Sequence, residues 1–135
     1  MIYQAAAHGA SAVLLICSIL EDKKLLAYRQ LADELKLSAL MEAHSEEEIS
    51  RAVKAGAQII GVNNRNLKNF QVDVSNSLKL RSLAPKNCLF VSESGIKTRS
   101  DIEKLEANGT DAVLIGETLM RAADKKAMLD TLRGV

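Results

Sequence analysis

Aromatic side chains are scarce in this sequence: they make up 3% of it, and tryptophan is absent. A core without large rings has to rest on Leu, Ile, Val and Ala, and 47% of the residues are hydrophobic. Proline occurs once, at Pro85, and no low-complexity linker divides the chain, so residues 1–135 read as a single domain. That length supports a sizeable core but falls short of an ordinary eight-fold barrel of roughly 250 residues. An excess of either charge is also missing. The net charge of +1 gives no electrostatic case for nucleic acid or an acidic membrane.

Cysteine is limited to Cys17 and Cys88, each in or beside an apolar run. Neither has a CxxC or Cys/His spacing that suggests a metal, so both read as buried free thiols, in keeping with a cytoplasmic protein. No apolar run is long enough to span a bilayer. Ala10–Leu20 has the length of a signal-peptide core, but only His8 stands before it where a positively charged segment is needed; a buried strand is the better reading.

What the sequence does contain is alternation. Short apolar runs occur at Ala12–Ile16, Ala39–Met41, Ile59–Val62, Cys88–Val91 and Ala112–Ile115. Continuous rather than alternating apolar character suits parallel strands covered on both faces. Helical spacing fills the intervals. Asp22–Leu37 places Leu25, Tyr28, Leu31 and Leu35 on one stripe. Ser45 with Glu48 and Ser100 with Glu103 read as capping boxes. Gly9, Gly56 and Gly109 each follow a helical stretch and precede a strand, forming a weak repeat. About five strands and five helices in regular succession imply an α/β fold, either a doubly wound sheet or a barrel.

In parallel α/β folds, functional groups gather beyond the C-terminal ends of the strands. Here the successive strand ends carry Cys17 and Ser18; Glu42 and His44; Asn63, Asn64 and Arg65; Ser92, Glu93, Ser94 and Gly95; and Gly116, Glu117 and Thr118. Glu42 and Glu93 point into one bowl and can divide acid and base duties if their surroundings differ; the alternative is that each simply ends a strand in water. Ser94-Gly95 and Gly116-Glu117 follow the last two strands, where barrels commonly hold a phosphate on backbone N–H groups, although turn geometry also explains the glycines. His44 has no paired ligand and reads as a surface residue at a helix entry. His8 reads as structural, Glu46-Glu47-Glu48 as a favourable first helical turn, and Lys23-Lys24 and Lys125-Lys126 as solvated faces.

Four segments carry a family resemblance. Val91-Ser92-Glu93-Ser94-Gly95-Ile96 resembles the VSESGI segment of the indole-3-glycerol phosphate synthase family. Gly61-Val62-Asn63-Asn64-Arg65-Asn66-Leu67 resembles its GINNRDL segment, Leu40-Met41-Glu42-Ala43-His44 its LVEVH segment, and Ile115-Gly116-Glu117-Thr118-Leu119-Met120-Arg121 its VGESLMR segment. All four stand in family order and spacing. The resemblance implies a partial (β/α)8-type barrel of about five parallel βα units. It also implies the decarboxylating, dehydrating ring closure of a carboxyphenylamino-deoxyribulose phosphate in tryptophan synthesis, with no metal or organic cofactor. By the same resemblance Glu42 assists proton transfer, Asn63 orients the substrate near Glu93, and Arg65 lies beside the anthranilate part. Ser94, Gly95, Gly116 and Glu117 hold the phosphate, the last three chiefly through backbone.

The sequence also departs from the family pattern. The family's acid lysine stands on a strand that runs on into Asp-x-Tyr-Gln; here Tyr3-Gln4 is present, but Met1 takes the Asp position. The first strands, with their lysine and glutamate, are expected to be absent, as is the first phosphate loop, and no lysine lies at a strand end in compensation. The expectation is a C-terminal barrel part that is inactive alone. Such a part has two open sheet edges and no opposite wall, and some of Leu14, Leu40, Ile60, Phe90 and Leu114 must face the gap. A homo-oligomer or a complementing N-terminal barrel fragment is therefore the expected macromolecular partner, and a sugar phosphate the expected ligand. A non-catalytic phosphate-binding or assembly half-barrel stands as the alternative. Another phosphate-binding barrel enzyme is disfavoured by the pairing of Asn63-Asn64-Arg65 with Ser92–Gly95.

Overall fold

A computed structural model describes residues 1–66 and 71–135; Leu67, which ends one of the motifs above, lies outside them. Five strands alternate with helices: α1 (Ile2–Ala7), β1 (Ala12–Ile16), α2 (Asp22–Glu34), β2 (Ser38–Ala43), α3 (Glu46–Lys54), β3 (Ile59–Asn63), α4 (Ser75–Leu80), β4 (Leu89–Glu93), α5 (Arg99–Ala107), β5 (Ala112–Leu114), α6 (Glu117–Arg121) and α7 (Lys125–Arg133). A 3-10 turn at Arg81–Leu83 extends α4. The described residues thus form seven α-helices rather than about five. None is long and apolar enough to cross a membrane.

The strands are all parallel and lie in the order β1-β2-β3-β4-β5. A doubly wound sheet reverses its order at a switch point, whereas a barrel steps always to the next neighbour. The sequential order therefore decides between the two architectures left open by the sequence.

Because side chains alternate along a strand, the sheet has two unlike faces. Leu15, Met41, Ile60, Val62 and Phe90 belong to one buried cluster with Leu25 of α2, Ile49 and Ala52 of α3 and Leu80 of α4. A smaller cluster joins Ile96, Ile102 and Leu105 to Leu132 of α7. On the opposite, inner face, pairing aligns Leu14 with Leu40, Leu40 with Ile59 and Ile59 with Leu89. Leu14, Leu89 and Leu114 are about half exposed there. Of the five residues expected to include wall-facing ones, Ile60 and Phe90 instead lie fully buried under the helices.

Local signals were realised in part. Gly9, Gly56 and Gly109 all have positive φ. Helix α2 stops at Glu34 rather than running to Leu37, because Lys36 turns left-handed at φ 58°. Its stripe is narrower than expected, with Leu25 and Ala32 buried and Tyr28 exposed. The first capping box is half formed. The Ser45 hydroxyl accepts from the Glu48 N–H at 3.3 Å, but the Glu48 carboxylate turns to the His44 N–H at 2.7 Å. The second box is displaced: α5 is capped by Thr98 with Asp101, not by Ser100 with Glu103.

Candidate functional site

Register places the two carboxylates. Glu42 is aligned with Ile16 on one side and Gly61 on the other; Glu93 is aligned with Asn63 and with Leu114. Both point inward, and both are buried, at 6% and 5% exposure. The glycine between them makes this possible. A Cβ at Gly61 would stand 1.9 Å from Glu93 Oε1, so the carboxyl group occupies the space a side chain would fill. Glu93 Oε1 has no hydrogen-bond partner among the described residues. Burial, and secondarily the charge of Glu42, push the Glu93 carboxyl up from 4.5 to about 7. Of the two readings of these residues, ending a strand in water is excluded.

A buried polar ring fixes the ends of β3 and β4. Asn64 Nδ2 donates to Ser92 Oγ at 3.0 Å, Ser92 Oγ donates to Ser77 Oγ at 2.7 Å, and Ser77 Oγ donates to Asn64 Oδ1 at 2.8 Å. The Ser77 N–H also donates to Asn64 Oδ1, and Asn64 Nδ2 reaches the Ser94 carbonyl at 3.1 Å. Satisfied networks of this kind rigidify what they connect. The connected segment is the turn at Ser94 and Gly95, both left-handed at φ 68° and 80°. A Cβ at Gly95 would stand 2.2 Å from Val72 Cγ1, so only glycine fits the turn. Sequence reasoning noted Asn64 at a strand end but assigned it no role; its partner Ser77, on α4, carried no local signal.

The remaining candidates separate into two cavities. One, of about 990 Å³, is lined by Arg65, Ser94, Gly95, Gly116 and Glu117 among others. At its rim Arg65 Nη2 donates to Glu117 Oε2 at 2.6 Å, and Arg121 approaches Glu117 Oε1 at 3.0 Å. Gly116 leads into α6 with open space where a Cβ would lie. The other cavity, of about 630 Å³, is lined by Ser18, His44, Glu48, Asn63, Asn64, Asp73 and Asn76 among others. Asn63 Oδ1 accepts the Arg65 N–H at 3.0 Å and shapes the turn between the two cavities. Asn63 therefore lies beside Glu93 by register but opens to the other side from Arg65. Glu42 and Glu93 line neither cavity; they sit between them on the inner face.

His44 is not the surface residue expected. Its side chain is only 18% exposed and stands between two carboxylates, with Nε2 3.6 Å from Glu42 Oε1 and Nδ1 3.4 Å from Glu48 Oε2. Its position two residues after Glu42 was the available signal. Both thiols are buried as expected, and burial raises Cys17 to about 11, which keeps it inert at neutral pH. Among the described residues no group of three or more His, Cys, Asp or Glu is placed to hold a metal ion.

The family model for indole-3-glycerol phosphate synthase matches residues 1–132. The chain belongs to the indole-3-glycerol phosphate synthase family. Curated synthases of the family are correspondingly similar. That of Leuconostoc mesenteroides is 58% identical over 134 residues, covering 99% of this chain and 51% of the relative. That of Ruminiclostridium cellulolyticum is 56% identical over 133 residues, covering 98% and 51%. The chain thus spans about half the length of these synthases. Solved structures agree on the fold. The 3-hexulose-6-phosphate synthase of Salmonella typhimurium superposes with TM-score 0.81 at 13% identity, over 98% of this chain and 65% of that one. A thiamine phosphate pyrophosphorylase from Pyrococcus furiosus gives 0.77 at 20%, over 99% and 63%. At such identities the likeness is one of architecture alone.

Proposed function

We propose that this chain forms the C-terminal part of an indole-3-glycerol phosphate synthase barrel, a carboxy-lyase of tryptophan biosynthesis, and supplies its carboxylate pair and phosphate-holding loops. The observation that carries the reading is the placement of Glu42 and Glu93 on the inner face, buried, on either side of Gly61. Closing an indole ring with loss of carbon dioxide and water needs one group to take a proton and another to give one. Glu93, protonated near neutrality, suits the second duty; Glu42, facing His44 rather than another carboxyl alone, suits the first. Asn63, aligned with Glu93, orients the substrate, and Arg65 lies beside its aromatic part. Ser94, Gly95, Gly116 and Glu117 line one cavity and take the phosphate of the sugar chain, with Arg65 released from Glu117 as the substrate enters.

Dehydration needs an acid at the departing oxygen, and among the described residues no lysine stands directly at a strand end; Lys97, four residues past β4, lines the cavity assigned to the phosphate rather than the face that carries the carboxylates. That acid comes from a further segment, and this chain alone does not turn over. The half-exposed Leu14, Leu89 and Leu114 favour association on the inner face, with such a segment or with a second copy. The test is synthase activity of the chain alone and mixed with the N-terminal half of the Leuconostoc relative. The expected result is no product alone, product in the mixture, and a drop of at least about a hundredfold with Glu93→Gln or Glu42→Gln in the mixture. Turnover by the chain alone overturns its dependence on a further segment. A mixture whose activity is indifferent to both substitutions overturns the assignment of the carboxylates. Phosphate that binds a folded chain in a mixture that never turns over favours the second reading, a non-catalytic half-barrel module.

A further inference from the structure

Glu42 is buried and lines neither cavity, so a proton it takes up or gives away needs a route. Glu93 shares the inner face of the sheet with it. The His44 ring faces Glu42 with an Nε2 that has no hydrogen-bond partner among the described residues. Ring and carboxylate stand 3.6 Å apart, and about half an ångström of movement brings them into hydrogen-bond range. The far side of the ring faces Glu48, whose Oε2 lies 3.4 Å from Nδ1 and already accepts the His44 backbone N–H at 2.7 Å. His44 and Glu48 both line the 630 Å³ cavity. Glu42, His44 and Glu48 therefore form a line from the inner face to the cavity, and Glu93 shares the inner face with Glu42.

We infer that His44, oriented by Glu48, is the relay through which Glu42 exchanges its proton with the cavity. The inference rests on the acid–base role proposed for Glu42. The resting ring carries its proton on Nδ1, directed at Glu48, and its Nε2 lone pair faces Glu42. Nε2 takes the proton from the Glu42 carboxyl as the Nδ1 proton passes to Glu48 and from there to water in the cavity. One proton leaves Glu42, one reaches solvent, and the ring ends as the other tautomer. The reverse sequence reloads Glu42 and restores the first tautomer. His44 acts through Glu42 and is a positioning and relay residue, not one that touches the reacting atoms.

The fold holds this line in place. Glu48 is on the first turn of α3, whose Arg51 clamps the loop after β1 by donating to the Cys17 carbonyl at 2.8 Å and to Asp22 Oδ1 at 2.6 Å. Asn76 Nδ2 donates to the His44 carbonyl at 3.3 Å from the α4 side. The ionisable groups around the ring are Glu42 on β2, Glu48 and Arg51 on α3, Cys17 after β1, Asp73 on the cavity wall before α4, and Glu93 on β4 beyond Glu42.

The test reads the full chain spectroscopically and needs no turnover, so its failure is distinct from failure of the synthase reading. Two-bond proton–nitrogen correlations of the His44 ring and the Glu42 carboxyl carbon shift are recorded in wild type, Glu42→Gln and Glu48→Gln. Amide spectra check that each variant is folded. The expected ring is Nδ1–H in wild type. Glu42→Gln shifts the Nε2 resonance, and Glu48→Gln mixes the tautomers. Identical ring nitrogen shifts in wild type and Glu42→Gln overturn the relay, as does an Nε2–H ring in wild type. If Glu42→Gln does not fold, His44→Gln decides the same point on the Glu42 carbon: a shifted carboxyl resonance supports the relay, and an unchanged one overturns it.

Discussion

At the ends of β3 and β4, Asn64, Ser77, Ser92 and Glu93 are all buried, whereas β5 is exposed along its length and α6 buries no residue. The two regions carry the two halves of the proposed site. The strand ends that carry the two carboxylates are fixed by the Asn64, Ser77 and Ser92 ring, and the carboxylates themselves are walled in by packing. The far side of the 990 Å³ cavity is held by Arg65, Glu117 and Arg121, ion-paired at the surface. The difference follows from what each chemistry needs. A carboxyl tuned by desolvation must be walled in, while a cavity that admits a charged sugar phosphate must stay open to water. It also predicts that damage at the centre is structural and large, and damage at the edge small.

The largest expected effect is at the centre. Asn64→Ala leaves Ser77, Ser92 and the Ser94 carbonyl short of partners inside the protein, and should destabilise the chain by roughly 3 to 4 kcal/mol in urea denaturation. A loss under about 1 kcal/mol would show that the ring is not what holds the two strand ends together.

Next comes the pH dependence caused by Glu93. Its carboxyl goes from 4.5 to about 7 on folding, so the folded chain binds that proton more tightly than the unfolded one. The resulting stability is fully present below pH 4.5 and is lost as pH rises through about 7. Its size is of order 3 kcal/mol. The wild-type denaturation midpoint should fall across that window, and Glu93→Gln should flatten the fall. Equal slopes in the two proteins would remove Glu93 as its source.

Gly61→Ala should act more gently on stability, by about 1 to 2 kcal/mol, since the atom in its way is the mobile end of Glu93. It should nevertheless displace the carboxyl and abolish its raised titration. Stability and titration thus separate in one variant, read by thermal melting and carboxyl carbon shifts. Smallest of all should be Arg65→Ala, which removes a pair 31% and 54% exposed and should cost less than about 1 kcal/mol in a melt. A larger loss would mean that the edge is as tightly built as the centre.

The sequence made the frame legible because each strand is a continuous apolar run and each βα unit repeats the same punctuation. The parity of Glu42 and Glu93 on the inner face followed once the strands were set. Less visible were features that depend on a competing local choice or on contact through space. Thr98-x-x-Asp101 and Ser100-x-x-Glu103 offer nearly the same cap two residues apart, and the chain closes on the first. Lys36 turns left-handed where no glycine marks the stop of α2. His44 finds Glu48 because the helix after it folds back, and Asn64 finds Ser77 across 13 residues. Spacing alone also does not order the strands; the neighbour-to-neighbour sequence that separates a barrel from a doubly wound sheet belongs to the tertiary structure.

The claim on which the rest depends is that the inner face desolvates Glu93 while leaving it beside a second carboxyl. Carbon-13 titration of the Glu93 side-chain carboxyl in the full chain measures this directly. The expected midpoint is near 7 and drops partway, but not to the ordinary range, in Glu42→Gln, because burial is the larger cause and the neighbouring charge the smaller. A wild-type midpoint at the ordinary 4.5 would contradict it and return Glu93 to the status of a strand-end residue in water.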